Sequence, residues 1–136
     1  VSENLSAKGA YRMRGAENDR KVVLMATGSE VHLAANIAEA LEAKGIGADV
    51  VSMPCWERFE AQDGAYKADI LASKENVLRV SIEAGATFGW ERYTGTDGLN
   101  FGIDRFGGSA PANKLYEYFG LTEAAITPQI LSALKS

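Results

Sequence analysis

The apolar run Val22-Val23-Leu24-Met25-Ala26 breaks at Thr27-Gly28-Ser29-Glu30 and passes directly into a helical pattern that ends at Gly45. A strand with apolar side chains on both faces belongs inside a parallel sheet covered by helices on each side. Open sheets of this kind offer ligands the crevice beyond the carboxyl ends of their strands. Thr27 and Glu30 stand at capping-box spacing, so the hydroxyl and the carboxylate are each expected to satisfy a backbone N–H of the first helical turn. Behind them Val31, Ala34, Ile37, Ala38 and Leu41 share one stripe and His32, Asn36 and Glu39 another, with Gly45 as the left-handed stop.

The pattern repeats along the chain, with short apolar runs alternating with helical stretches, which implies α/β layering. Further strands are expected over Ala10–Met13, Ala48–Met53, Val77–Ile82 and Leu99–Ile103. The first two strands are joined only by Gly15 to Arg20, too short for a parallel crossover, so they must pair antiparallel or lie apart. Trp56–Gln62 and Tyr66–Ala72 read as short helices separated by Asp63-Gly64. Ser109-Ala110-Pro111 opens a helix that buries Leu115 and Phe119 before Gly120, and Thr127-Pro128 repeats the start signal for the last helix.

A chain of 136 residues, 46% hydrophobic and 24% charged, can bury one ordinary core, so one soluble domain is expected over residues 9–136. Val1 to Lys8, polar and aperiodic, reads as the remnant of a linker, and the start at Val1 rather than methionine points either to processing or to a cut from something longer. A net charge of −4 with interspersed signs offers neither nucleic acid nor a membrane surface a basic patch. The lone cysteine allows no internal disulfide and fits a reducing cytoplasm.

The chemistry-bearing residues are few. His32 is the only histidine and has no second imidazole or thiolate at ligand spacing, so it reads as a surface residue. Cys55 follows a strand end, yet with no histidine partner it reads as a small buried hydrophobe. The Thr27–Glu30 turn would suit an anion but for Glu30, whose carboxylate repels one, so helix capping is the simpler role. Glu83 ends another strand at the same sheet edge and is expected to cap or to pair with Arg79, Arg92 or Arg105. A strand-end crevice would therefore gather Thr27, Gly28, Ser29, Glu30, Cys55 and Glu83. Phe88, Trp90 and Tyr93 read as packing anchors, and Phe106-Gly107-Gly108-Ser109 as a turn. No complete catalytic constellation is present in these patterns.

Taken in order, several segments resemble the carboxyl-terminal domain of transketolase. They are Glu3-Asn4-Leu5 with Gly9-Ala10-Tyr11, Ala26-Thr27-Gly28-Ser29-Glu30-Val31, Val50-Val51-Ser52-Met53-Pro54-Cys55 and Phe59-Glu60-Ala61-Gln62-Asp63 with Tyr66. The likeness continues through Arg79-Val80-Ser81-Ile82-Glu83-Ala84-Gly85, Trp90 and Phe106-Gly107-Gly108-Ser109-Ala110-Pro111-Ala112, and is loosest over Arg92 to Gly98.

The resemblance implies a three-layer α/β/α domain with a five-stranded mixed sheet whose first strand is antiparallel to the rest. It also implies a parent enzyme that moves a two-carbon ketol unit between sugar phosphates in the pentose phosphate pathway. That enzyme uses thiamine diphosphate and a divalent cation, Mg or Ca, held by the preceding domains of a homodimer. The family's catalytic, cofactor and metal residues lie in those domains, so none is carried over to this chain, which alone is expected to be inactive. Two alternatives stay open. One is the same domain in a deoxyxylulose-phosphate synthase or a ketoacid dehydrogenase subunit. The other is a free-standing regulatory module using the strand-end crevice.

Overall fold

A computed structural model describes residues 9–27, 30–73, 75–83, 90–95, 98–102 and 122–135. The strands are β1 (Tyr11–Arg14), β2 (Arg20–Ala26), β3 (Gly47–Ser52), β4 (Leu78–Glu83) and β5 (Leu99–Gly102). The helices are α1 (Glu30–Glu42), α2 (Trp56–Glu60), α3 (Gly64–Leu71), α4 (Glu91–Thr94) and α5 (Glu123–Leu134).

The strands form one sheet in the order β1-β3-β2-β4-β5. β3 and β4 flank β2 in parallel, β5 adds in parallel to β4, and β1 is the antiparallel edge on β3. Of the two outcomes left by the short Gly15–Arg20 link, the strands lie apart, with β3 between them.

Strand alternation distributes the apolar side chains between two layers. Val22, Leu24 and Ala26 of β2, with Val50, Val80 and Ile82, face one way and bury Ala34, Ile37 and Leu41 of α1 and Ile126 and Ile130 of α5. Val23 and Met25, with Val51 and Met53, face the other way onto Phe59 of α2, Ile70 of α3, and Trp90 and Tyr93. The continuous apolar run of β2 thus follows from its central place between two covered faces. The three-layer α/β/α mixed sheet that the resemblance implies is the fold observed.

One local expectation is corrected. The last helix does not begin at Thr127-Pro128. Thr122 caps it, its hydroxyl accepting from the Ala125 N–H at 3.2 Å, and Pro128 lies inside the helix. Proline has no N–H to give the carbonyl one turn earlier, and among the described residues the buried Thr127 hydroxyl has no hydrogen-bond partner. The burial of Ile126 and Ile130 beside these two residues favours the helix that carries them. The single turn α4, over Glu91–Thr94, is announced by no periodicity in the sequence. The helix expected after Ser109, with Leu115 and Phe119, lies outside the described residues, as do Val1–Lys8, Phe88 and the Phe106–Ser109 turn.

Elsewhere local chemistry matches the sequence. Asp63 caps α3 by accepting from the Tyr66 N–H at 2.8 Å. Gly45 takes φ +82, the left-handed stop beyond α1. No helix among the described residues is long and apolar enough to cross a membrane.

Candidate functional site

The connections from β2 and β4 leave in opposite directions. β2 passes through α1 to β3 on one side, whereas β4 passes through α4 to β5 on the other. The carboxyl ends of these two neighbours therefore mark the topological switch point, where open α/β sheets place ligands. Register sets Ala26 opposite Ile82, so Thr27 and Glu83 emerge side by side. The Thr27 hydroxyl donates to Glu83 Oε2 at 2.5 Å.

That bond is a cross-strand partnership that local spacing does not announce. Glu30 is the first residue of α1, and its N–H donates to the Thr27 carbonyl, rather than to the Thr27 hydroxyl, at 3.1 Å. The hydrogen bond given by the Thr27 hydroxyl runs across the sheet edge to Glu83. Glu30 itself is buried, 6% exposed. Of the arginines expected beside Glu83, Arg79 instead donates to the carbonyls of Leu71 and Ala72, both at 2.7 Å, and Arg92 lies 6.0 Å from the Tyr93 ring centroid. Gly28, Ser29 and Arg105 lie outside the described residues.

Cys55 is half-buried rather than fully enclosed, and occupies the position before α2 without a side-chain capping bond. Its N–H donates to the Gly9 carbonyl at 3.0 Å and its carbonyl accepts from Phe59 at 3.2 Å. Gly9 takes φ +83, and a Cβ there would stand 2.2 Å from the Cys55 oxygen and the Phe59 nitrogen. Only glycine allows the incoming chain to lie this close to α2. His32 is exposed on α1, as its helical face implied.

Beside Cys55, the half-buried Trp56 stacks edge-on against Trp90 and Tyr93, with centroids at 4.8 and 5.3 Å. Trp90 and Tyr93 are the packing anchors expected of them, 1% and 4% exposed. The Tyr93 hydroxyl donates to Glu60 at 2.8 Å. Burial and that neighbouring carboxylate push the phenol from 10.0 up to about 12, so it is a neutral donor at physiological pH.

The opposite edge of the sheet carries two charged arrangements that sequence patterns do not single out. Asp49 of β3 is wholly buried. It accepts from Arg12 Nε at 3.0 Å and from the Ala16 N–H at 2.8 Å, and Arg20 Nε stands 2.8 Å from it. Arg12 also reaches Asp69, and Arg20 also reaches Glu75. Burial works against the Arg20 charge, but Asp49 and Glu75 hold its pKa above the ordinary value. The available signal was a lone carboxylate inside the apolar run Ala48–Met53, since a buried charge requires partners.

The second arrangement is at the end of α1, where the Glu42 carboxylate accepts from the N–H groups of Glu17, Asn18 and Ala48 and from the Asn18 amide. Desolvation opposes the charge, but these donors outweigh it and bring the pKa from 4.5 down to about 2.

A recess of about 510 Å³ is lined by Gly64, Ala65, Ala68, Asp69, Ala72 and Glu75, and its two acids are the ones held by Arg12 and Arg20. A smaller polar recess of about 290 Å³ includes Asn76, Arg79 and Thr94. Neither brings a nucleophile together with a base among the described residues. Likewise no three His, Cys, Asp or Glu side chains of the described residues cluster so as to hold a metal ion.

The chain matches known proteins over nearly its whole length. Residues 9–122 match the family described as the transketolase-like TK C-terminal domain. A transketolase of Sinorhizobium medicae is 47% identical over 135 residues, which is 98% of this chain and 19% of that protein. A plasmid-encoded transketolase of Cupriavidus necator is 52% identical over 120 residues, 88% of this chain and 18% of the relative. A solved transketolase from Leishmania mexicana superposes with a TM-score of 0.84 at 38% identity, covering 96% of this chain and 18% of that one. The chain thus spans about a fifth of the length of these relatives, and it belongs to the transketolase C-terminal domain family.

Proposed function

We propose that the chain serves as the carboxyl-terminal domain of a transketolase that transfers a two-carbon ketol unit between sugar phosphates in the pentose phosphate pathway. The observation that carries this reading is the coverage: a relative 47% identical to this chain matches 98% of it, yet the match is only 19% of that relative. In such a parent this domain packs against the preceding domains and supports association of the homodimer in the cytoplasm. A Solanum tuberosum relative is named as chloroplastic. The relatives and solved neighbours cited are transketolases, which favours this reading over a deoxyxylulose-phosphate synthase or a ketoacid dehydrogenase subunit.

The parent would draw on thiamine diphosphate and a divalent cation, and the described residues do not fit either group. Asp49, the most buried carboxylate, is already matched by two guanidiniums, and no three-ligand cluster stands elsewhere among the described residues. No step of ketol transfer is therefore assigned to this domain. What its residues do is structural: Thr27 and Glu83 join β2 to β4, Gly9 fixes the incoming chain against α2, and Asp49 joins β1 to β2.

The test is a ketol-transfer assay with thiamine diphosphate, magnesium and a pair of sugar phosphates. The full-length parent is expected to turn over and the 136-residue chain is not. Turnover by the chain alone would overturn the proposal.

A further inference from the structure

The Glu42 carboxylate is held by donors that the fold supplies from two separate stretches of chain. Oε2 accepts from Glu17 N–H at 2.9 Å and from Ala48 N–H at 3.0 Å. Oε1 accepts from Asn18 N–H at 3.0 Å and from the Asn18 amide at 2.7 Å. Each oxygen therefore takes two donors. The Glu17 and Asn18 groups belong to the β1–β2 connection, and Ala48 to the start of β3.

The backbone itself sets the aim of these groups. The Gly47 N–H donates to the Asp19 carbonyl at 3.0 Å. A Cβ at Gly47 would lie 2.3 Å from the carbonyl oxygens of Asn18 and Asp19, so the close approach that aligns the two stretches requires glycine. Convergent backbone N–H groups make an anion-binding concavity whether or not a side chain happens to fill it.

We propose that the N–H groups of Glu17, Asn18 and Ala48 form a preformed oxyanion nest in which the Glu42 carboxylate is the resident internal ligand. Removing that carboxylate leaves a site for a free small carboxylate, with formate as the simplest probe. The paired donors on two oxygens match the shape of a carboxylate, whereas a spherical halide cannot engage both pairs in the same way. The nest lies at the sheet edge opposite Thr27 and Glu83, and it does not depend on the proposed function.

The test is hydrogen exchange at the amides of Glu17, Asn18 and Ala48 in the full-length protein at neutral pH. In Glu42→Ala these amides are expected to exchange about tenfold faster than in the unmodified protein. Sodium formate at about 0.3 M is expected to restore most of that protection in the variant and to leave the unmodified protein unchanged. Glu42→Gln keeps one acceptor oxygen, so its exchange should fall between the two, and it provides the comparison if the alanine variant does not fold. Unaltered exchange in both variants would overturn the proposal. So would formate slowing exchange equally in variant and unmodified protein, or chloride restoring protection as well as formate.

Discussion

The Thr27 hydroxyl donates a hydrogen bond to the Glu83 carboxylate across the carboxyl ends of two adjacent parallel strands, at the point where the sheet's connections diverge. A hydrogen bond to a half-buried carboxylate contributes about 1–2 kcal/mol. Thr27→Val, which keeps the shape and removes the hydroxyl, should lower stability by that amount in urea unfolding, and Thr27→Ser should recover most of it. Equal midpoints for Thr27→Val and the unmodified chain would show that the bond contributes nothing.

Asp49 concentrates two guanidinium charges on one buried carboxylate, so removing it takes from both cations their buried partner and leaves them only Asp69 and Glu75. Asp49→Ala should cost about 3 kcal/mol, the lower end of the range for breaking a buried pair from one side, because both cations are partly exposed and keep a second partner. The exposed pair of Arg14 with Glu17, at 3.6 Å, is the contrast, and Arg14→Ala should change stability by less than about 1 kcal/mol. Thermal unfolding of both variants decides the matter, and similar costs would refute the distinction drawn between the two pairs.

Two glycines share a left-handed φ and differ in their surroundings. A Cβ added at Gly45, φ +82, would meet nothing within 4 Å, whereas one added at Gly9, φ +83, would fall on the backbone of α2. Gly45→Ala should cost only the conformational term, about 1 kcal/mol. Gly9→Ala should cost well beyond that, because the α2 backbone must move. Comparable melting temperatures for the two variants would remove the close approach of Gly9 to Cys55 and Phe59 as an explanation.

The Glu42 carboxyl has a folded-state pKa of about 2 against an ordinary 4.5, so the folded protein favours its charged form. The stabilisation is fully present above pH 4.5 and is lost as the pH falls through 2. The stability gap between the unmodified chain and Glu42→Gln should therefore be constant from pH 7 to about 5 and narrow steadily below that. A gap independent of pH down to 2 would contradict the assignment.

Much of the layering was legible in the sequence because patterning alone carries it. The unbroken apolar run of β2 required cover on both faces, and the short Gly15–Arg20 link ruled out a parallel crossover between β1 and β2. Placing Thr27 at the carboxyl end of a sheet strand followed from the same logic. Its partner did not, because cross-strand register is a tertiary property and local spacing favoured Glu30 instead. Pro128 misled in the same way: a start signal next to a threonine was overridden by the burial of Ile126 and Ile130 within a helix already capped at Thr122. Asp49 and Glu42 went unnoticed because their partners lie up to 37 residues away in sequence.

The most direct measurement is the mass of the native subunit in its source cells, detected with an antibody raised against this chain. A transketolase carboxyl-terminal domain predicts a product about five times the 14.6 kDa of this chain, the ratio set by its 19% coverage of a close relative. A native product of 14.6 kDa would contradict that account.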